Sequence, residues 1–257
     1  DAGINARAIA GQWAHNYPDQ PDKHGELESG YGKEAYPNMS RLDWAVELFE
    51  WFNYYLKDIG EEPEPMVQIQ TNDGRWHVEE TWPPEDMTWL LQDISSDWDG
   101  ASGTVNGLGS SVTITSGVFE QDTHVSGLPT LHLDVTTQAC QGGQIFATLF
   151  DETANLRLGH ATMDIRYRDG GYDAKPTAPA SQYTMLMEFN PLDVVIPAGH
   201  SLRIELTETG EDYLPSPCAT NPLGGLTING GVIGFPIIDR SPSHEAWFEA
   251  AHWPITA

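Results

Sequence analysis

Five stretches between residues 112 and 240 alternate apolar and polar side chains with a period of two, and this pattern restricts most of the chain to β structure. The apolar positions are Leu131, Leu133 and Val135; Ile145, Ala147 and Leu149; Met163, Ile165 and Tyr167; Tyr183, Met185, Met187 and Phe189; and Leu202, Ile204 and Leu206. Turn clusters rich in Gly, such as 141–143 and 169–171, separate the stretches. Because alternation gives each strand one apolar and one polar face, the sequence predicts an antiparallel β-sandwich.

Residues 40–59 predict a helix, with Ser40 as N-cap, Asp43 at the third helical position and Gly60 as the stop. Its apolar residues form two stripes: Leu42, Val46, Phe49, Leu56 and Ile59 on one, and Trp44, Leu48, Trp51 and Tyr55 on the other. Two stripes indicate burial on two sides, so we expect this helix to lie between two folded bodies.

Shorter elements flank this helix. Residues 6–10 predict a short strand, and 66–70 predict another, which the turn at 72–74 connects to Trp76 in a hairpin. Residues 93–111 are rich in Asp, Ser and Gly and predict a solvated surface loop. Three tryptophans, Trp76, Trp82 and Trp89, predict core packing at the interface between a second folded body and the sandwich, with a stacking platform for a sugar as the alternative.

The chain carries 38 acidic and 12 basic residues, a net charge of −26, which argues against nucleic acid and anionic membranes as partners. The sequence contains no run of 18 apolar residues, so it predicts no transmembrane helix. An acidic surface with few lysines suits high ionic strength, so a halophilic or marine source and an ordinary acidic secreted protein both remain open.

Several short motifs follow one another in a recognisable order. They are Gly11-Gln12-Trp13-Ala14-His15, the helix end at 52–57, Trp76 with 81–84, the segment 126–135, and the strand at 196–204. Together they resemble the serine hydrolases of the CocE/NonD type: cocaine esterase, the X-Pro dipeptidyl-peptidases and the α-amino-acid ester hydrolases. Three positions depart from that pattern: Gln12 stands where Pro is usual, Asn53 where Asp is usual, and His77 where Arg is usual.

The resemblance implies a domain organisation. Residues 1–60 would hold the last strand and helix of an α/β-hydrolase body, residues 61–85 a linker with a short hairpin, and residues 86–257 a jelly-roll β-sandwich of the galactose-binding-like type. The expected fold class is therefore mainly β, a jelly roll preceded by a hydrolase remnant.

The same resemblance implies that His15 is the catalytic histidine of a Ser-His-Asp triad. A loop histidine satisfied by hydrogen bonds is the alternative. Trp13 and Tyr17 flank His15 and either shape the acyl or leaving-group pocket or pack the loop. No G-x-S-x-G motif occurs in the sequence, and the triad aspartate of the family precedes the histidine by more residues than are present here. We therefore expect an ester or amide hydrolase, X-Pro dipeptide bonds included, whose chain alone is inactive.

The implied partners are the Ser- and Asp-bearing remainder of the hydrolase, or a second copy through the 40–59 helix, and a small ester or peptide substrate. A binding module of a different class, a stand-alone jelly roll for a glycan or protein, is the alternative. No cofactor is expected. The other histidines show no metal-ligand spacing, and His200 at a strand start predicts a structural role at the sandwich edge.

The two cysteines, Cys140 and Cys218, precede and follow predicted strands. If those strands are antiparallel, the two thiols lie at one edge of the sandwich and can form a disulfide; two free thiols are the alternative. A disulfide predicts an extracellular or periplasmic location, against the cytoplasm of a halophile.

Overall fold

The structure is a computed structural model that describes residues 6–11, 44–72, 76–139, 142–210, 218 and 224–239. The chain divides into two compact units. The first comprises residues 1–86, 193–195 and 238–257, and the second comprises residues 87–192 and 196–237. The predicted fold class is confirmed: the described residues are mostly β, with one α-helix.

The first unit contains a small mixed sheet and the α-helix. Its elements are β1 (Arg7–Ala10), α1 (Trp44–Lys57), β2 (Met66–Gln70) and β3 (Trp76–Glu79). The sheet order is β1-β2-β3; β1 and β2 are parallel, and β2 and β3 are antiparallel as in the predicted hairpin. Because parallel neighbours need a long crossover, α1 lies on the connection between β1 and β2. Strand β2 lies within the stretch 61–85 predicted as a linker with a short hairpin, and it pairs with β1 in this sheet.

Helix α1 is shorter than its predicted range, and residues 40–43 lie outside the described residues. It ends at Lys57, three residues before the predicted stop at Gly60. The backbone turns at Asp58, which adopts a positive φ of 55°, and the N–H groups of Asp58 and Ile59 donate to the carbonyls of Tyr54 and Asn53. Aspartate tolerates this left-handed conformation better than most residues, so the helix stops without a glycine.

The second unit is built from strands, with a short 3₁₀ turn at Ile165–Tyr167. The strands are β4 (Thr88–Asp93), β5 (Trp98–Asp99), β6 (Gly103–Val105), β7 (Val112–Val118), β8 (Thr123–Gly127), β9 (Thr130–Thr137), β10 (Gln144–Asp151), β11 (Leu156–Asp164), β12 (Gln182–Glu188), β13 (Leu192–Ile196), β14 (Ser201–Thr207) and β15 (Leu226–Ile238). Residues 193–195 of β13 and residue 238 of β15 count with the first unit.

These strands form two sheets. One has the order β11-β10-β14-β7-β5, and every pair in it is antiparallel. The other has the order β12-β9-β15-β8-β13, and β4 and β6 also pair with the long strand β15. Two mostly antiparallel sheets in one domain give the sandwich that the alternating pattern predicts.

The core of the second unit consists of the inward positions of the alternating strands. Fully buried side chains include Leu131, Leu133, Val135, Ile145, Ala147, Leu149, Met185, Met187, Leu202, Ile204 and Leu206. Phe189, which follows β12, is also buried. The period-two prediction is confirmed for these four strands, because each apolar position it named there is inside, except the partly exposed Tyr183.

Two local predictions are wrong. The surface loop predicted over 93–111 contains β5 and β6, and Trp98 of β5 is buried with its Nε1 donating to Gln92 Oε1 at 2.9 Å. The alternation through Met163, Ile165 and Tyr167 breaks at Asp164, where the chain enters the 3₁₀ turn. The Asp164 carboxylate accepts a 2.9 Å hydrogen bond from the Arg166 N–H, which stabilises a turn rather than an extended strand.

The three tryptophans have different surroundings. Trp76 is buried, Trp82 is partly exposed, and Trp89 is 46% exposed, so this chain alone does not bury Trp89, and its packing against a hydrolase body stays a prediction. Trp89 lies on β4, which pairs with β15, and it is opposite Pro236 in that pairing. No helix among the described residues has both the length and the apolar character needed to cross a membrane.

Candidate functional site

The predicted catalytic residue, His15, and its flanking Trp13 and Tyr17 lie outside the described residues. The structure does describe the strand before them: β1 ends at Ala10, five residues before His15. Strand β1 runs parallel to β2, with Arg7 opposite Met66 and Ala10 opposite Ile69. In open α/β sheets, ligand-binding and reactive residues cluster beyond the carboxyl ends of parallel strands, and His15 follows such an end in the sequence.

An apolar groove of about 340 Å³ lies between β1 and α1 in the first unit. Its lining residues are Arg7, Ile9, Trp44, Glu47, Leu48, Trp51 and Phe52. The Arg7 guanidinium lies 2.9 Å from the Glu47 carboxylate, so an ion pair joins the strand to the helix at the groove.

The apolar side chains of α1 remain accessible. Leu48, Phe49, Phe52, Tyr55 and Leu56 are each at least 40% exposed, and no residue of the helix is buried. Within the described residues neither stripe of α1 is buried, so its burial between two folded bodies stays a prediction. A contiguous apolar surface of this kind marks a binding or docking face.

A buried ionic cluster also lies in the first unit, centred on His77 of β3. The His77 ring is 2% exposed; its Nδ1 lies 3.3 Å from Glu79 Oε1 and its Nε2 lies 3.1 Å from Asp193 Oδ1. Glu79 and Asp193 are buried as well. Because charges this deep are tolerated only when they are paired, the geometry indicates an imidazolium held between two carboxylates.

Further hydrogen bonds fix residues 193–195 within this unit. The Thr71 hydroxyl donates to Asp193 Oδ1 at 2.9 Å. The Asn72 side chain donates to the Val195 carbonyl and accepts from the Val195 N–H, both at 3.0 Å. Thr71 thus holds the carboxylate that faces His77, and Asn72 holds the backbone two residues after it.

The environment of His77 changes its pKa. Burial alone lowers this pKa, but hydrogen bonds to Asp193 and Glu79, together with their negative charges, outweigh burial and raise the pKa from 6.5 to about 9. The ring is therefore protonated at neutral pH. His77 stands where the CocE/NonD hydrolases usually have an arginine, so a cation is kept at this position. The arrangement is suited to structural support rather than to proton transfer near neutral pH.

We predict that the chain loses stability between pH 6.5 and 9.5 because His77 deprotonates. Its folded-state pKa lies above the unfolded value, so its contribution is fully present below pH 6.5 and is lost as the pH rises through about 9. The loss amounts to about 3 kcal/mol, at about 1.4 kcal/mol per pKa unit. Urea unfolding across this pH range measures it.

The matched control is His77→Arg, which keeps a cation at every pH in this range. We expect this variant to show a much flatter dependence of the unfolding free energy on pH. An equally steep loss in His77→Arg would show that another group causes the dependence.

His200 immediately precedes β14, which is an inner strand of its sheet, so it lies at a strand start as predicted but not on an edge strand. Its Nδ1 lies 2.7 Å from Asp151 Oδ2, and Asp151 also accepts from the Ala154 N–H at 2.9 Å. The pair joins the start of β14 to the end of β10, two strands that are already hydrogen-bonded neighbours.

Residues 60–226 match the family of the X-Pro dipeptidyl-peptidase C-terminal non-catalytic domain. This match covers more than half of the chain, including β2 and most of the sandwich. The chain belongs to this family. The strand β1, the helix α1 and His15 lie before the matched region.

Curated relatives and solved structures agree with this assignment. A Bacillus anthracis protein assigned as an Xaa-Pro dipeptidyl-peptidase is 25% identical over 93% of this chain and 44% of its own length. This chain thus spans less than half of that relative. An aminopeptidase from a marine sediment Thaumarchaeota archaeon shares the fold with a TM-score of 0.66 at 13% identity, over 90% of this chain and 49% of its own. A CocE/NonD family hydrolase from Staphylococcus aureus shares it with a TM-score of 0.57 at 11% identity, over 76% and 46%.

Sequence reasoning missed the ionic cluster, although one signal pointed to it. His77 and Glu79 are two residues apart on a predicted strand, so their side chains lie on the same face. Their partner Asp193 is 116 residues away, and no local pattern connects it to them.

Proposed function

We propose that this chain is the C-terminal portion of a serine hydrolase that cleaves an ester or amide bond, with X-Pro dipeptide bonds as the first amides to test. The observation that carries the proposal is the β1–α1–β2 unit with its exposed apolar helix face. A stand-alone sandwich domain has no need of a parallel strand pair and an uncovered helix, whereas a hydrolase body extends both.

In this proposal His15 is the general base of a Ser-His-Asp triad. Its imidazole takes the serine proton as the hydroxyl attacks the substrate carbonyl, and it then returns the proton to the leaving alkoxide or amine. Water hydrolyses the acyl-enzyme by the same route. Trp13 and Tyr17, which flank His15 in the sequence, would line the acyl or leaving-group pocket.

The proposed partner is the Ser- and Asp-bearing segment of the hydrolase, and the proposed contact is the exposed face of α1. The Arg7–Glu47 pair beside the groove offers polar anchoring, while Leu48 and Phe52 supply apolar area. Association of two copies through the same helix is the alternative, and the net charge of −26 opposes it.

The activity of the isolated chain tests this proposal. We expect no turnover of a p-nitrophenyl ester above the rate of the His15→Ala variant, because an acyl-enzyme requires an activated nucleophile that this sequence does not supply in a recognisable motif. Faster turnover by the wild-type chain would contradict the assignment of the nucleophile to another segment.

We further propose a disulfide between Cys140 and Cys218, and with it an extracellular or periplasmic location. Three observations support it: β10 and β14 pair antiparallel with Phe146 opposite Thr207, Cys218 is buried, and a Cβ on Gly142 would lie 3.3 Å from the Cys218 Sγ. Cys140 lies outside the described residues. A cytoplasmic location in a halophile is the alternative.

We predict that alkylation of the unfolded, unreduced protein modifies neither cysteine, as measured by mass. Reduction should then expose two thiols and lower the unfolding free energy by about 4 kcal/mol, since the bridge closes a loop of about eighty residues. Two alkylated thiols before reduction would remove both the bridge and the argument for an oxidising compartment.

A further inference from the structure

A polar groove of about 430 Å³ crosses the outer face of one sheet of the second unit. Its lining residues are Asp134 and Val135 on β9, Gln182, Tyr183 and Thr184 on β12, and Asn229 on β15. The groove lies in a different part of the chain from β1, α1 and His15.

A β-bulge at Asn229 contributes to this groove. Ile228 pairs with Val135 and Gly230 pairs with Asp134, so Asn229 is an extra residue on β15. Bulges interrupt a ladder to redirect a side chain and are enriched beside binding sites. Gly230, with φ of 120°, accommodates this one, since a Cβ there would lie 2.0 Å from Ser95 Oγ.

The side chains of the groove are held in place by neighbours. Thr184 donates to Asp134 Oδ1 at 2.6 Å, and Asn229 Nδ2 donates to Thr136 Oγ1 at 2.8 Å. The Tyr183 hydroxyl accepts from the Ala178 N–H at 2.9 Å, and the Arg168 guanidinium lies 4.5 Å from the Tyr183 ring centroid. Groups that are already ordered lose little entropy when a ligand binds.

The chemistry of the lining selects a ligand class. A carboxylate, two amides and two hydroxyls offer donors and acceptors side by side, and the lining residues include no lysine or arginine, although Arg168 lies over the Tyr183 ring. The absence of a lining cation and the net charge of −26 oppose an anionic ligand. A single carboxylate, already bonded to Thr184, is a poor cage for a metal ion, which needs several oxygen ligands.

We propose that this groove binds the hydroxyl edge of a neutral saccharide. Hydroxyl pairs on adjacent ring carbons both donate and accept, which matches the carboxylate of Asp134 and the amides of Gln182 and Asn229.

Affinity electrophoresis of the full chain in gels that contain laminarin, dextran or galactomannan tests this proposal. We expect retardation by at least one of these neutral polysaccharides, with little change when salt is raised, because the ligand carries no charge. Alginate is the anionic control and poly-L-proline is the peptide control. Retardation by none of the three neutral polymers, or by a control alone, would overturn the proposal.

Variants then locate the site. Asp134→Ala and Gln182→Ala remove exposed side chains of the groove, and each should weaken binding by about tenfold, equivalent to about 1.4 kcal/mol. Thr113→Val, at an exposed position on β7 in the other sheet, should leave it unchanged. Equal retardation of the groove variants and the wild type would place saccharide binding elsewhere and refute the assignment.

Discussion

Replacing His15 with alanine in the complete hydrolase polypeptide is expected to lower kcat/KM for an ester or X-Pro amide by about 10⁴-fold or more. In the proposed triad the imidazole takes and returns a proton in both acylation and deacylation, so its removal is expected to slow both steps. Release of p-nitrophenol or p-nitroaniline measures the rate.

His200→Ala is the matched control for this variant. His200 also lies beside a carboxylate, Asp151, but it belongs to the sandwich and has no place in the proposed triad. We expect its kcat/KM to stay within a few-fold of the wild type. If His15→Ala retained full activity, or if both variants lost activity equally, the triad assignment would be wrong.

His77→Ala is expected to lower the unfolding free energy by about 3–5 kcal/mol, the range seen when one partner of a buried ion pair is removed. The variant leaves Asp193 and Glu79 buried without their cation, and it also leaves a space beside β3. Urea unfolding at neutral pH measures the loss.

Two further measurements separate this charge effect from simple loss of packing. The deficit of His77→Ala should shrink as the pH falls far enough to protonate Asp193 and Glu79, because neutral carboxyls tolerate burial better. Lys175→Ala, which removes an exposed ion pair with Asp169, should leave stability unchanged. A deficit of equal size at every pH would show that His77 contributes volume and not charge.

The sandwich could be predicted because its strands are half-buried. In β14 the apolar residues point inward and the polar residues between them, such as Arg203 and Glu205, point outward. The sequence shows this alternation directly. Residues 98–105 could not be predicted in this way, since β5 and β6 are two and three residues long. Strands that short show no period, and the surrounding Asp, Ser and Gly indicate a loop.

The candidate sites also differ in whether the sequence alone can predict them. His15 is a prediction from motif order along the chain, a signal that does not depend on knowing which residues meet in space. The ion pair between His77 and Asp193 and the groove at Asn229 depend on tertiary contacts. A bulge shifts pairing by one residue, and only the register between β9 and β15 shows which side chain it redirects.

A crystal structure of the complete polypeptide tests the central claim most directly, through the distance between His15 Nε2 and the Oγ of the nucleophilic serine in the preceding segment. We predict a separation of about 2.6–3.2 Å, with the apolar face of α1 covered by that segment. A serine paired with a different histidine, with His15 remote from it, would contradict the account.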